Sequence, residues 1–190
     1  NGPSTVPESP ITLSLVSHST PTTATYNGTF NLSFYNLSGM YTVNVTATDS
    51  SSQNGSKDAP FEYQTARALE FDTGTINFGA IDPGSTSEVL GDEDMGTLSN
   101  ATVRNIGNVV FDIEVSGTNM TANGNTITRE NIEARLDNLS YLNLSVTRTF
   151  ATNLPAGSLS LENADFKLLV PVGTPDGTYS GGITISAAAP

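Results

Sequence analysis

Between Val109 and Val115 the apolar residues Val109, Phe111, Ile113 and Val115 fall on every second position, with Asp112 and Glu114 between them. A side-chain period of two is the geometry of a strand with one buried and one wetted face. Asn105, Gly107 and Asn108 stand just before it and tolerate turn conformations, so Val103 is expected on a preceding, paired strand. Residues 11–16, 29–37, 39–49, 75–81, 132–136, 142–146 and 159–161 repeat the alternation, and 166–172 is a more continuous apolar run, expected to be more deeply buried. No segment combines helical periodicity with caps. The expected fold class is all-β: an immunoglobulin-like or jelly-roll β-sandwich, as one large domain or as two small sandwich units.

Composition narrows what such a sandwich does. Only 36 % of the 190 residues are apolar, enough for a thin core because alternation gathers them on one face. No apolar run reaches membrane-spanning length. The first residues carry no signal-peptide pattern, so the segment is expected to be processed or cut from a longer protein. Cysteine is absent, which removes disulfides, thiolate nucleophiles and thiolate metal sites together. The net charge is −12, and Lys57 and Lys167 are the only lysines. No basic face can form, so neither nucleic acid nor an anionic membrane surface is an expected partner.

Nine Asn-x-Ser/Thr sequons stand at Asn27, Asn31, Asn36, Asn44, Asn54, Asn100, Asn119, Asn138 and Asn143. That is about twice what this Asn-, Ser- and Thr-rich composition yields by chance. With so few lysines beside them, they point to a glycosylated extracellular or cell-surface protein. Asn31, Asn44, Asn138 and Asn143 alternate with Leu or Val and are expected to face solvent.

In chain order, residues 1–10 hold three prolines and read as a flexible arm. Residues 11–64 form a partial β unit of about four strands, fewer than an immunoglobulin sandwich carries, and 65–190 form a second β-sandwich domain. Residues 18–26 and 50–60 read as polar connections, Asp82-Pro83-Gly84 as a turn and Asn123-Gly124 as a hairpin turn. Gly39-x-Tyr41 opens one alternating strand and Gly177-x-Tyr179 another, so each is expected to mark the closing strand of a unit.

The run Gly39-x-Tyr41-Thr42-Val43-x-Val45-x-Ala47-x-Asp49 resembles the closing strand of immunoglobulin-like repeats in archaeal secreted and surface-layer proteins. Gly74-Thr75-Ile76, Pro83-Gly84 and Asn105-Ile106-Gly107-Asn108 together are similar to fibre proteins of the camelysin type and to archaeal bundling pili. These resemblances imply a structural subunit of a filament, pilus, tubule or surface layer, whose partners are copies of itself in a homopolymer. A secreted adhesin or carbohydrate-binding module is the alternative.

Chemistry has few footholds. His18 is the only histidine, in a Ser/Thr/Pro-rich stretch without a nucleophile motif. There is no Trp to line a sugar cleft, and no enzymatic activity is expected. Residues 58–94 hold nine acids against Arg67, a net of −8. Within them Asp92, Glu93 and Asp94, with Asp72 and Asp82, offer hard oxygen ligands to calcium, although the EF-hand spacing is missing. A solvated acidic loop is the competing reading. Finally, Ile11, Leu13 and Leu15 alternate directly after the arm, in the half that is short of strands. They are expected to form either a strand donated to another copy or an intramolecular first strand.

Overall fold

The structure, a computed structural model, describes residues 11–20 and 23–190; the proline-rich arm expected over 1–10 lies outside the described residues. Contacts divide the chain into two compact units between Thr65 and Ala66. It is all-β, and no α-helix occurs among the described residues.

The first unit consists of two hairpins that share no sheet: β1 (Ser14–Thr20) with β2 (Thr23–Asn27), and β3 (Gly39–Thr48) with β4 (Asn54–Tyr63). The second hairpin runs unbroken from Gly39 opposite Tyr63 to Thr48 opposite Asn54. Its tip is tied by Asp49, whose Oδ1 accepts from the backbone N–H groups of Ser51 and Gln53 at 2.8 and 2.9 Å. One face carries Tyr41, Val43, Val45 and Ala47, as the alternation requires. Cross-strand from them stand Phe61, Ala59, Lys57 and Gly55.

Three expectations change here. The strand expected over 29–37 is replaced by a turn in which Asn36 N–H donates to the Ser33 carbonyl at 2.9 Å. Phe30 instead packs on Phe61 with ring centres 5.9 Å apart. The connection expected over 50–60 is largely β4, because ten registered partners on β3 extend a polar stretch that has no apolar period of its own. Pro60 is tolerated because β4 is an edge strand. The first strand begins at Ser14 rather than Ile11 and continues through the expected connection to Thr20.

The second unit is a two-layer sandwich. One layer has six strands in the order β12 (Leu142–Asn143), β11 (Ile132–Leu136), β14 (Leu161–Leu169), β7 (Thr102–Asn105), β5 (Leu69–Phe71), with β6 (Thr86–Val89) also on β14. β6 and β7 share one edge of β14, pairing with residues 166–169 and 161–163. The facing layer has three strands, β13 (Arg148–Leu154), β8 (Phe111–Gly117) and β15 (Ile183–Ala188). A small hairpin, β9 (Met120–Ala122) with β10 (Asn125–Ile127), closes on Asn123 and Gly124 with φ of 49° and 80°, the positive-φ turn that Asn-Gly favours. The core lies between the layers. Val103, Ala134, Leu136, Ala164 and Phe166 from one side meet Phe111, Ile113, Val115 and Phe150 from the other. The stretch that opened the sequence is thus the central strand of the smaller layer, although Val109 lies just outside it.

The Asn105–Asn108 turn anchors the unit. Asn105 is fully buried; its Nδ2 donates to the carbonyls of Val109, Leu154 and Pro155 at 2.9–3.0 Å, and its Oδ1 accepts from Gly107 N–H at 2.8 Å. Asn108 Oδ1 accepts from Ala66 N–H at 2.7 Å. A Cβ on Gly107 would stand 2.3 Å from the Ala66 carbonyl oxygen, so no other residue fits there.

The two Gly-x-Tyr sequences share a local device. Tyr41 Oη donates to the Leu37 carbonyl at 2.5 Å and Tyr179 Oη to the Pro175 carbonyl at 3.0 Å, each four residues upstream. Each ring pins the bend that leads into its strand, a form of tyrosine corner.

Candidate functional site

The hairpins of the first unit leave many of their apolar side chains exposed. Among the described residues Tyr41 is the only buried hydrophobic side chain there, stacked on Phe61 at 5.6 Å. Ile11, Leu13, Leu15 and Val16 are all exposed, as are Met40 and Val45 on β3. Of the expected donor residues, Leu15 pairs within the chain opposite Tyr26, while Ile11 and Leu13 precede the strand. Leu13 and Ile11 rest on Gly28, where a Cβ would lie 2.6 Å from Leu13 Cδ2. A register shift after Leu15 interrupts the β1–β2 ladder, so only the pairs Ser14–Asn27 and Leu15–Tyr26 hold the start of β1 in place.

Of the sequon asparagines, Asn27, Asn31, Asn44, Asn54, Asn119, Asn138 and Asn143 are exposed, and Asn36 and Asn100 are half-buried. Asn44 and Asn54 project from the face of the β3–β4 hairpin opposite Tyr41 and Val45. Asn44 Nδ2 donates to Asp58 Oδ1 at 2.6 Å, and Thr48 Oγ1 donates to Asn54 Oδ1 at 2.7 Å. Any glycan carried by this hairpin therefore leaves its apolar face clear.

The five acids read as calcium ligands do not meet at one point, and among the described residues no three acidic or histidine side chains converge. Asp92 Oδ1 and Asp94 Oδ1 each accept a backbone N–H two residues onward, from Asp94 and Gly96 at 2.9 Å, so the loop folds back on its own carboxylates. Glu93 and Asp94 are exposed, and Asp82 sits in a separate turn in which Ser85 N–H reaches its carbonyl. Asp72 and Asp92 do share a neighbour. Buried Thr102 donates its N–H to Asp72 Oδ1 at 2.8 Å and its hydroxyl toward Asp92 at 2.9 Å. Asp72 Oδ2 is left buried without a hydrogen-bond partner.

Two ionisable groups escaped the sequence reading, both on β14. Glu162 follows the core-facing alternation Glu162, Ala164, Phe166, Leu168 and is buried at the rim of the sandwich. Burial is the main cause that pushes its carboxyl up to about 7, with Asp137 next and Glu93 adding a smaller repulsion. Asp165 faces the other way, yet is covered because Arg135 donates to its Oδ2 and Gly91 N–H to its Oδ1 at 2.8 Å. Asp165 in turn holds the Arg135 guanidinium still more firmly protonated. The Tyr141 ring lies 4.5 Å from both Arg135 and Lys167, and its hydroxyl donates to Glu88. Desolvation, then that hydrogen bond, raises the Tyr141 pKa. Arg104 with Glu70, and Lys167 with Glu133, continue these cross-strand ion pairs on the outer face of the six-stranded layer. The clue was β14's period of two, hidden because the polar Glu162 occupies an inward position. His18 is exposed on β1. No family model and no curated protein matches the chain.

Proposed function

We propose that this chain is a structural subunit of an extracellular archaeal assembly, a filament, pilus, tubule or surface layer, built by strand donation and apolar contacts between copies. The observation that carries this reading is the first unit: two separate two-stranded hairpins with a row of exposed apolar side chains. Isolated two-stranded hairpins are marginal in water. Burying Ile11, Leu13 and Leu15 against another copy contributes about 1.5–3 kcal/mol each before ordering costs. Charge favours the same region. Residues 9–48 contain no Asp, Glu, Lys or Arg in a chain of net charge −12, so two copies meet there with least repulsion. Glycans at Asn44 and Asn54 belong to the outward face in this arrangement.

Deleting residues 1–16 tests the reading. By negative-stain microscopy and sedimentation the full chain polymerises, whereas the truncated chain stays small with an unchanged β-type circular dichroism spectrum. Polymers formed by the truncated chain would rule strand donation out.

Calcium enters this proposal as cement at Asp72 and Asp92, where an unpartnered carboxylate oxygen stands beside Thr102. On that account a chelator lowers the melting temperature of the second unit, and calcium restores it. An unchanged melting curve returns the loop to a solvated acidic turn.

A second reading, a carbohydrate-binding or adhesive module, draws on exposed Phe30, Phe34 and Tyr35, the last two forming an edge-on pair 5.2 Å apart. A monomer whose tyrosine fluorescence responds to sugars would favour it over assembly.

A further inference from the structure

In an Asn-x-Ser/Thr sequon the third residue belongs to the signal because the transferase must read its hydroxyl. Eight of the nine sequons carry that hydroxyl on an exposed or half-buried residue, among them Thr46 after Asn44 and Ser56 after Asn54. Asn100 differs. It is followed by Ala101 and Thr102, both 0 % exposed. The Thr102 hydroxyl lies 2.9 Å from both the main-chain carbonyl and Oδ1 of Asp92, and the Thr102 N–H donates to Asp72 Oδ1 at 2.8 Å. The Ala101 carbonyl accepts from Ala164 N–H at 3.0 Å, and Thr102 stands opposite Asn163 on β14. Backbone and hydroxyl of this sequon are therefore both occupied inside a paired sheet. Drawing a core strand out into an enzyme cleft costs close to the free energy of unfolding the whole unit.

We propose that Asn100 takes a glycan only before β14 closes on β7, so that occupancy at this one site records whether glycosylation or folding came first. The proposal rests on the sequons being used and is independent of how copies associate. In the transfer, Asn100 Nδ2 attacks C1 of the first sugar of a polyprenyl-diphosphate-linked oligosaccharide. The C1–oxygen bond breaks, the lipid diphosphate leaves, and the amide nitrogen gives one proton to a base of the transferase. The acceptor atom is not the obstacle. Asn100 is half-buried, its Oδ1 accepts from the Ser99 hydroxyl at 3.1 Å, and no hydrogen bond from its Nδ2 occurs among the described residues. A sugar attached early therefore stays compatible with the closed sandwich. Topology sets the length of the opportunity. β5 precedes the sequon, but its three-residue ladder with β7 is too short to hold Thr102 by itself. The strand that covers Thr102 arrives late, since more than sixty residues separate Thr102 from Asn163. Until those residues pair, the sequon is readable; afterwards it is shut.

The test presents the same acceptor folded and unfolded. The full chain, made without glycans and folded, and a peptide of residues 95–106 are each incubated with a purified single-subunit oligosaccharyltransferase and a polyprenyl-diphosphate-linked oligosaccharide. Peptide mapping by mass spectrometry reads every site. The peptide is expected to be modified at Asn100, and the folded chain at Asn44 and Asn54, with its Asn100 roughly ten-fold or more below them. A folded chain modified at Asn100 as fully as at Asn44 would overturn the proposal. So would a folded chain that takes no sugar at Asn44 or Asn54 either, because the burial of Thr102 would then set nothing apart. Protein from its native source with the bare polypeptide mass would overturn the use of the sequons itself, and the proposal with it.

Discussion

Replacing Asn105 by Ala lowers the melting temperature of the second unit by roughly 10–20 °C, the largest loss expected from a single exchange. Asn105 is fully buried and its amide reaches three carbonyls on two segments, those of Val109, Leu154 and Pro155. Removing it strands those carbonyls in the interior and opens a void at the end of β7. Buried unsatisfied groups and cavities of this kind together cost about 3–5 kcal/mol. Asn105→Asp separates the causes. It keeps the volume and the bond from Gly107 N–H, but it cannot donate and brings a buried charge, so it is expected to be at least as damaging as Ala. Thermal unfolding by circular dichroism measures both. An Asp variant with the wild-type melting temperature would show that the three donated bonds carry little.

The second large effect is on pH dependence and comes from Glu162. Its carboxyl sits at about 7 in the folded protein, against 4.5 ordinarily. Between those values the folded state holds more protons than the unfolded chain, so stability falls as pH rises. The penalty is absent below about pH 4.5 and complete above about pH 7, reaching about 3 kcal/mol. This one carboxyl thus favours the acid side of the window. Glu162→Gln, neutral at every pH, is expected to melt on the order of 10 °C higher than the wild type at pH 8, and to differ little at pH 4.5. Melting curves that change in parallel across this range in both proteins would refute the assignment. Glu93 and Asp137 supply the smaller repulsions, so Asp137→Asn recovers only part of the gain.

The parts of the fold legible in the sequence were those where a strand carries its own period. β3 and β11 stand, to within a residue, where the alternation over 39–49 and 132–136 puts them, and β8 rests on Phe111, Ile113 and Val115. β4 was invisible because its residues Asn54, Gly55, Ser56 and Lys57 alternate nothing; the partner strand imposes their conformation. Residues 29–37 failed in the opposite way, since Leu32, Phe34 and the neighbouring Tyr35 offered apolar residues but found no ladder. Leu159 and Leu161 looked like a short strand of their own, yet Leu159 is exposed and Leu161 begins β14. For the candidate site, the alternation of Ile11, Leu13 and Leu15 shows in the sequence, whereas the burial of Glu162 and Asp165 does not, since it is set by the strands that cover β14.

The pairing order also dictates when the second unit can exist. β6 joins the β5–β7 pair in one sheet only through β14, more than sixty residues after β7 begins in register: Thr102 pairs with Asn163 and Val89 with Phe166. β8 likewise waits for β15, with Ile113 opposite Ala187. Most strand pairs of the second unit span a long loop, a topology that folds slowly because closure entropy is lost before contacts return it. Both hairpins of the first unit close over short loops and form on a much faster scale. A chain emerging from its N-terminal side therefore shows its apolar hairpins well before the sandwich has closed, and its early life is one of exposed edges that need a chaperone or dilution to stay apart.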